Sequence, residues 1–459
     1  MSIIYNALSG SQAAQAALAT MSQNVANVMT PGYTRQGVLL ASVQPLQAGA
    51  INPGSGVSVP SLLRFSDGYK TLQLWSAASA VGQRGATQPY LTQLEQIMGD
   101  DESGINSGLD AFFATLNAAS VEPTSSPLRQ QVIVAADALS QRFNSLNQVL
   151  TNQRASVTQQ RLTTVAQVNT LSAQVAALNK QIVLTQGTGV NPSGLIDARD
   201  TKIDELANLV AVQVVQQADG SRSVSLSGGQ PLVVGSRAAT IEALSNPDGS
   251  QTLTVTFANE SFTLDHSRLG GQLCGLDDFE TRVLVPLMES ITDMAEQLSD
   301  NVNDRLALGY ALDGSPGQPL FEFDSSGATG VLKVREDVLS SDLAFSSDPA
   351  TPGDSANLLQ LIAIKNQAVI LPSLGSISLS DAVTQLIGKL GMDSQQNAVA
   401  LTTAETVRNQ AEESWKATSG VNMDEEAANL MQYQQMYQAN MKVIAVANEL
   451  FNSTLAMLG

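Results

Sequence analysis

The chain has 459 residues, of which 43% are hydrophobic and only 4% aromatic, so its cores must rely on Leu, Val, Ile and Ala. The 23 basic and 42 acidic residues give a net charge of −19, which argues against nucleic acid or an anionic membrane as a partner. Only one cysteine (Cys274) and one histidine (His266) are present, so an internal disulfide is excluded and at most one Cys–His or Ser–His catalytic pair is available.

The first 34 residues carry no charged side chain. Apolar residues recur there every three or four positions, which predicts a helix over 3–29 with a narrow, coiled-coil-like stripe. We call this stripe the N-terminal seam: Ile4, Ala7, Ala14, Leu18, Met21, Val25 and Val28. Thr30-Pro31-Gly32 should end the helix, because proline cannot continue it. The segment lacks the basic and compact apolar blocks of a secretory signal, so we expect no cleaved signal peptide.

The middle of the chain changes character twice. Helical periodicity predicts helices over 66–98, from about 105, over 128–186 and over 195–209. The helix over 128–186 would be about 90 Å long, a length typical of rods. Alternating residues and an Asp219-Gly220 turn then predict a small antiparallel β insert over 210–268. Helical spacing returns over 276–302, with a kink expected at Pro286, and over 357–367, 379–390 and 394–418.

The last helix should begin at Asn422, which forms an N-x-x-E capping box with Glu425. Its first turn is acidic, as the helix dipole favours. A second apolar stripe follows, which we call the C-terminal seam: Leu430, Tyr433, Tyr437, Met441, Ile444, Phe451, Leu455 and Leu458. Lys442 and Glu449 are the only charged residues between Ala427 and Gly459. Both ends of the chain therefore combine an apolar stripe with an almost uncharged surface.

Two motifs resemble those of the bacterial flagellar axial proteins, the family of rod, hook and hook-associated subunits. The first is Asn24-Val-Ala-Asn27-Val-Met-Thr30-Pro31-Gly32-Tyr33-Thr34-Arg35-Gln36, and the second is Asn422-Met-Asp-Glu-Glu426 followed by Asn429-Leu-Met-Gln-Tyr433. The matching positions include Asn27, Pro31, Gly32, Tyr33, Arg35, Asn422 and Glu425. The C-terminal motif is similar to that of the hook-associated members.

The resemblance implies a flagellin-like fold that is mainly α, with a coiled-coil-like rod of long terminal helices and a small antiparallel β domain inserted in the middle. We expect a terminal assembly domain (1–36 and 420–459), a helical rod domain (37–209 and 270–419) and the β insert (210–269). The implied function is that of a structural subunit at the junction between hook and filament, outside the cell, which the filament requires for attachment.

The resemblance also implies the partners. These would be further copies of the chain, the hook protein, hook-associated protein 3, a cytoplasmic export chaperone holding the C-terminal seam, and the flagellar type III export apparatus. No cofactor, nucleic acid or membrane insertion is expected. The alternatives are another axial protein, either hook-associated protein 3 or the hook protein, and a secreted enzyme or adhesin that uses the β insert.

The residues themselves leave further choices open. Seams this thin should be poorly ordered in a lone chain and be buried by neighbouring copies, unless the two terminal helices pair within one chain. Asp197, Asp200 and Asp204 share one helix face, where a solvated surface with local ion pairs is favoured over a metal site, because Arg199 and Lys202 lie among them. We interpret His266 as a surface residue and Cys274 as a packing residue, and we assign no catalytic residue.

Overall fold

The computed structural model describes residues 2–44, 54–100, 104–326, 330–372 and 374–458. The chain divides into two compact units. Unit 1 comprises Met1–Val81, Val165–Gly271 and Ala404–Gly459, and unit 2 comprises Gly82–Thr164 and Gln272–Thr403. Among the described residues, none of the helices combines the length and apolar content that a membrane crossing requires.

Ten α-helices make up most of the described structure. In chain order they are α1 (Ser2–Ala26), α2 (Gly68–Met98), α3 (Ile105–Val121), α4 (Ser126–Gly187), α5 (Ser193–Leu209), α6 (Gly271–Phe279), α7 (Val285–Ala307), α8 (Ala356–Ala363), α9 (Leu379–Ser419) and α10 (Met423–Leu458). The long uninterrupted helix predicted over 128–186 is confirmed as α4, which has 62 residues.

The strands pair only with antiparallel neighbours in the described sheets. β1 (Gln36–Ser42) pairs with β2 (Val57–Arg64) in a hairpin. β3 (Val212–Gln216), β4 (Arg222–Leu226), β5 (Pro231–Val234) and β6 (Arg237–Ala238) form one sheet, and β7 (Thr240–Ser245), β8 (Gln251–Phe257) and β9 (Glu260–Thr263) form another. Two hairpins complete the set: β10 (Phe321–Phe323) with β11 (Leu332–Val334), and β12 (Ala368–Leu371) with β13 (Gly375–Ser378).

One prediction differs from the structure, and two features of the structure were not predicted. The two helices expected over 379–390 and 394–418 are the single helix α9, because Gly388 and Gly391 weaken a helix by about 1 kcal/mol each without stopping it. Pro286 lies in the first turn of α7, and a π-helical turn over Glu280–Leu284, which was not predicted, comes directly before that helix. The β12–β13 hairpin was not predicted, because its four-residue strands are too short to show a period.

Unit 1 fastens its sheets to α4 through asparagine side chains. The Asn169 amide donates to the Ile241 carbonyl (2.8 Å) and accepts from the Ile241 N–H (2.7 Å), as a neighbouring strand would. Asn179 does the same for Arg222, donating to its carbonyl (2.8 Å) and accepting from its N–H (3.0 Å). These bonds satisfy backbone groups of the edge strand β7 and of the first residue of the inner strand β4, and they fasten both sheets to the helix.

Unit 2 has a single large apolar core. Phe112 and Phe113 of α3 are fully buried in it, and the ring of Phe112 lies edge-on to that of Phe321, with centroids 5.8 Å apart. Beneath the π-helical turn, the buried Glu280 carboxylate accepts from Arg154 (3.1 Å) and Arg161 (2.6 Å) of α4. The core therefore combines aromatic packing with one paired buried charge.

Phe112→Ala should destabilise unit 2 by about 3–5 kcal/mol, because it removes a fully buried ring and leaves a cavity. Urea unfolding followed by circular dichroism measures the change. Val121→Ala is the matched control on the same helix, since Val121 is 86% exposed and should change stability by less than about 0.5 kcal/mol. Equal effects of the two substitutions would contradict the placement of the core.

Candidate assembly surface

The two terminal helices of unit 1 pack against each other in antiparallel directions. Their contact is lined on the α1 side by small side chains, and a Cβ added at Gly10 would stand 2.6 Å from the Asn440 Oδ1 atom. Further along, the Gln15 amide donates to the Tyr437 hydroxyl (3.5 Å), and the Asn24 amide donates to Glu426 (3.1 Å). Small residues let the two helix backbones approach closely. The structure therefore shows the alternative left open above, in which the two terminal helices pair within one chain.

The N-terminal seam is largely covered within the chain. Ala7, Ala14 and Met21 are buried, so the expectation that the whole seam waits for a neighbouring copy is wrong for these three residues. The physical reason is that α10 and the β1–β2 hairpin both pack on α1 within the chain, and small side chains such as Ala7 and Ala14 need little cover. The remaining members are half-buried or exposed: Ile4, Leu18, Val25 and, past the end of α1, Val28.

The C-terminal seam divides along α10. Its first part is half-buried (Leu430, Tyr433, Tyr437 and Ile444), whereas Met441, Phe451 and Leu455 are exposed. Leu458 ends α10, and its side chain lies outside the described residues. Apolar side chains therefore remain uncovered toward the end of the helix, which is unusual for a surface with so few charges.

A polar cluster ties the N-terminal motif to the start of α10. Asn24 is fully buried in α1 and accepts from the Tyr33 hydroxyl (2.9 Å) and from the Gln36 N–H (3.1 Å) through Oδ1. Its Nδ2 donates to the Gln36 carbonyl (2.8 Å) and to the buried Glu426 carboxylate. We call Asn24, Tyr33, Gln36 and Glu426 the terminal clasp. It joins two segments that are 402 residues apart in the sequence.

Arg35 adds a second link. Its backbone N–H donates to the Ser419 carbonyl (2.8 Å), its guanidinium forms an ion pair with Glu425, and the same group lies 4.6 Å from the centroid of the Phe65 ring. Asn422 caps α10 as predicted, because its Oδ1 accepts from the Asp424 N–H (3.0 Å). The capping box is only half present in the described contacts, since Glu425 binds Arg35 instead of returning to Asn422.

The acidic residues of α5 bind the N-terminal motif and the arginines around it. The Asp197 carboxylate accepts from the Thr34 N–H (3.2 Å) and from Arg64 (2.7 Å). Asp200 accepts from Arg222 (2.5 Å), and Asp204 pairs with Arg408 (2.6 Å). The ion pairs agree with the sequence interpretation, but the solvated face does not: Asp197 is buried, because the N-terminal motif and β2 pack over it.

Burial shapes the electrostatics of this network. It raises the pKa of Tyr33 above its usual value, with a further contribution from the negative charge of Asp197, so the hydroxyl stays a donor to Asn24 at neutral pH. It lowers the pKa of Arg199 to about 10, partly offset by Asp200. In the described residues no group of three or more His, Cys, Asp or Glu side chains is placed to hold a metal ion.

The other residues singled out in the sequence have local roles. The Asn27 carboxamide accepts from the Thr30 hydroxyl (3.1 Å), and exposed Pro31 lies in the turn that follows. Gly32 has φ +74°, and a Cβ there would collide with the Thr201 side chain. His266 lies in a short 3₁₀ turn and Cys274 is buried, with its sulfur 3.4 Å from the Gln83 amide.

The turn also borders a cleft of about 450 Å³ in unit 1. Its lining includes Met29, Trp75, Arg408, Trp415 and Lys416, which are aromatic, apolar and charged groups in one place. Arg408 is already paired with Asp204 there, so the cleft has no charge of one sign to select a ligand.

Sequence reasoning identified Tyr33, Arg35 and Glu425 but missed Asn24 and Glu426 as buried partners. The available signal was the position of Asn24, three residues after Met21 on the apolar side of a helix. A buried amide at such a position requires bonding partners.

Asn24→Leu should destabilise unit 1 by about 3 kcal/mol, because the Glu426 carboxylate keeps its burial and loses a donor. Amide exchange along α1 and urea unfolding measure this loss. Gln23→Leu, at the exposed neighbouring position, is the matched control. Adding Glu426→Leu to Asn24→Leu should recover part of the stability, and strictly additive losses would contradict a direct link.

Three family models match parts of this chain. The family model described as the flagellar hook-associated protein FlgK helical domain matches residues 91–321. Two further models match the ends: the flagella basal body rod protein at residues 4–34 and the flagellar basal body rod FlgEFG protein C-terminal at residues 417–457. The three matches cover α1, α10 and the helical middle of the chain.

Curated relatives match over nearly the whole chain. The flagellar hook-associated protein 1 of Bacillus subtilis is 28% identical, over 97% of this chain and 96% of the relative. That of Salmonella typhimurium is 26% identical over 99% of both chains. The solved structure of the flagellar hook junction protein FlgK from Burkholderia pseudomallei superposes with a TM-score of 0.66 at 18% identity, covering 75% of this chain and 99% of that one, which shows a shared fold.

The FlgK model spans half of the chain, and rod-protein models match its two ends where the clasp residues lie. The chain belongs to the FlgK family of flagellar hook-associated proteins, which are structural components of the bacterial flagellum.

Proposed function

We propose that this chain is the structural subunit that joins hook to filament, and that it assembles through its paired terminal helices. The observation that carries the proposal is the uncovered, nearly uncharged C-terminal part of α10, with Phe451 62% and Leu455 54% exposed. A soluble monomer has no use for such a stripe, whereas a subunit in a stack of copies has partners for it. Relatives named flagellar hook-associated protein 1 match nearly the full length, and a solved structure that covers 75% of this chain is named a flagellar hook junction protein. These names support the position at the junction.

The proposed partners follow from that position. They are further copies of the chain, the hook protein on one side and hook-associated protein 3 on the other. Before assembly the chain would leave the cell through the flagellar type III apparatus, and a cytoplasmic chaperone would cover the C-terminal seam. The exposed residues Met441, Phe451 and Leu455 offer that chaperone an apolar helix face.

The same proposal assigns three parts to the chain. Residues 1–36 and 420–459 would form the assembly domain, 37–209 and 270–419 the helical rod, and 210–269 the β insert. The terminal clasp supports the first assignment, because it ties residues 24–36 to residues 419–426. Strands β3–β9 lie within the range of the insert.

Cells that lack this chain should build hooks but carry no attached filament, because nothing would connect the two assemblies. Electron microscopy of the cell bodies and immunoblotting of flagellin in the medium measure this outcome. Restoring the unaltered chain is the control. Normal filaments on the deleted cells would reject the proposed junction role.

Leu18→Asp and Ile444→Asp should each block incorporation into flagella, because a carboxylate buried in a thin seam costs several kcal/mol, on the order of 3–5. Both positions are half-buried in unit 1. The protein content of isolated flagella, probed with an antibody, gives the readout. Gln12→Asp and Gln438→Asp are the matched controls, since they add the same charge at exposed positions of α1 and α10. Wild-type incorporation of the seam variants would refute the proposed seam.

A further inference from the structure

The contacts between α1 and α10 fix where α10 runs past its partner. Asn24 contacts Glu426, Gln15 contacts Tyr437, and Gly10 lies beside Asn440. In each of these three contacts the two residue numbers add to 450 or 452. At the same register, Ser2 at the start of α1 lies opposite residues 448–450 of α10. Helix α10 continues to Leu458 and therefore has a last stretch that α1 does not reach.

We call residues 450–457 the C-terminal overhang. Every side chain in it is exposed, including Leu450, Phe451, Leu455 and Met457. No charged residue follows Glu449 in the sequence. At this density of exposed apolar groups, a short helix without a packed partner is only marginally stable in water.

A second uncovered apolar surface lies on the β1–β2 hairpin, which runs along α1 from Asn24, beside Gln36, to Ser9, beside Val57. The Asn6 amide donates to the Gly54 carbonyl (3.5 Å), and the Val57 N–H donates to the Ser9 hydroxyl (3.2 Å), which places the far end of the hairpin beside the first turns of α1. The hairpin exposes four leucines, 38–47% of each in solvent: Leu39, Leu40, Leu62 and Leu63.

The strand register of the hairpin shows which of these leucines lie on the same face. Gly37 is opposite Leu63 and Leu39 is opposite Ser61, so Leu39 and Leu63 share one face of the two-stranded sheet. Within the described residues this sheet has no third strand. Two-stranded sheets are marginal alone, and an apolar face of this kind gains from a covering partner.

Charge indicates what that partner is. The hairpin segment 36–63 contains no charged residue, and 427–459 contains one of each sign, so these segments contribute nothing to the net charge of −19. Unit 2 alone carries 11 basic and 25 acidic residues, a net charge of −14. Copies of the chain therefore repel each other at most surfaces and can approach without that cost where both are uncharged.

Resting on the proposed self-assembly, we infer that the hairpin leucines Leu39 and Leu63 receive the C-terminal overhang of a second copy of this chain. Both surfaces are exposed in the single chain, so neither covers the other there. Their contact would remove both apolar patches from water at one uncharged interface. It would also extend the assembly surface beyond the two helical seams to a segment with a different secondary structure.

Disulfide trapping between two variants tests the contact, because a disulfide forms only when two Cβ atoms come within about 3.5–4.5 Å. Cys274→Ser removes the only native thiol. In that background, cells produce one copy with Leu39→Cys and another with Phe451→Cys, and their isolated flagella are oxidised mildly and run on a non-reducing gel. The control pair is Leu39→Cys with Leu308→Cys, since Leu308 is 67% exposed in unit 2.

The expected result is about tenfold more mixed dimer in the Leu39–Phe451 pair than in the control pair, because an ordered contact raises the effective thiol concentration far above that of random collision. Control-level dimer in flagella that contain normal amounts of the chain overturns this contact and leaves self-assembly standing. A dominant dimer from Leu39→Cys alone would place hairpin against hairpin and also overturn it.

A second pair of cysteine variants covers the case in which the first pair is simply misplaced for a disulfide. Leu63→Cys with Leu455→Cys probes the same two surfaces at different positions, and both native side chains are exposed, so neither change removes a core contact. If neither pair gives more dimer than the control, the hairpin is not the receiving surface. If the unaltered chain is itself absent from isolated flagella, the proposed function fails together with this inference.

Discussion

The close approach of α1 and α10 is the constraint on which unit 1 depends. It requires small side chains such as Gly10 and Ala14 along α1, because a larger side chain at Gly10 would collide with Asn440. Such a contact buries little apolar area, so burial alone gives it limited free energy. The terminal clasp adds specificity to this contact, because the buried Glu426 carboxylate has its hydrogen bond only when Asn24 lies beside it.

The clasp also explains how two ends of a long chain find one register. A one-residue slip of α1 along α10 would take the Asn24 amide away from the buried Glu426 carboxylate and leave that carboxylate without its donor, at a cost of about 3 kcal/mol. Arg35 reinforces the same register from the backbone and the side chain together. The register in turn sets how far α10 extends past α1, and so which apolar residues of α10 remain uncovered.

Charge is distributed to match this arrangement. Unit 2 carries −14 of the net charge of −19, while the hairpin and the end of α10 have almost no charge. In α5 the acidic residues serve a different purpose, because Asp197 and Asp200 are held by arginines beneath the N-terminal motif. The charge of an acidic residue therefore does not indicate its role until the residues that contact it are known.

Local patterns in the sequence determined most helices, the antiparallel strands within 210–268, the turn at Thr30-Pro31-Gly32 and the N-cap at Asn422, because each depends on residues only a few positions apart. Only the tertiary structure decided that α1 is covered by α10, that Asp197 is buried and that α9 continues through Gly391. It also revealed Asn24 and Glu426 as partners across 402 residues. Such pairings depend on long-range packing, which periodicity along a single helix does not encode.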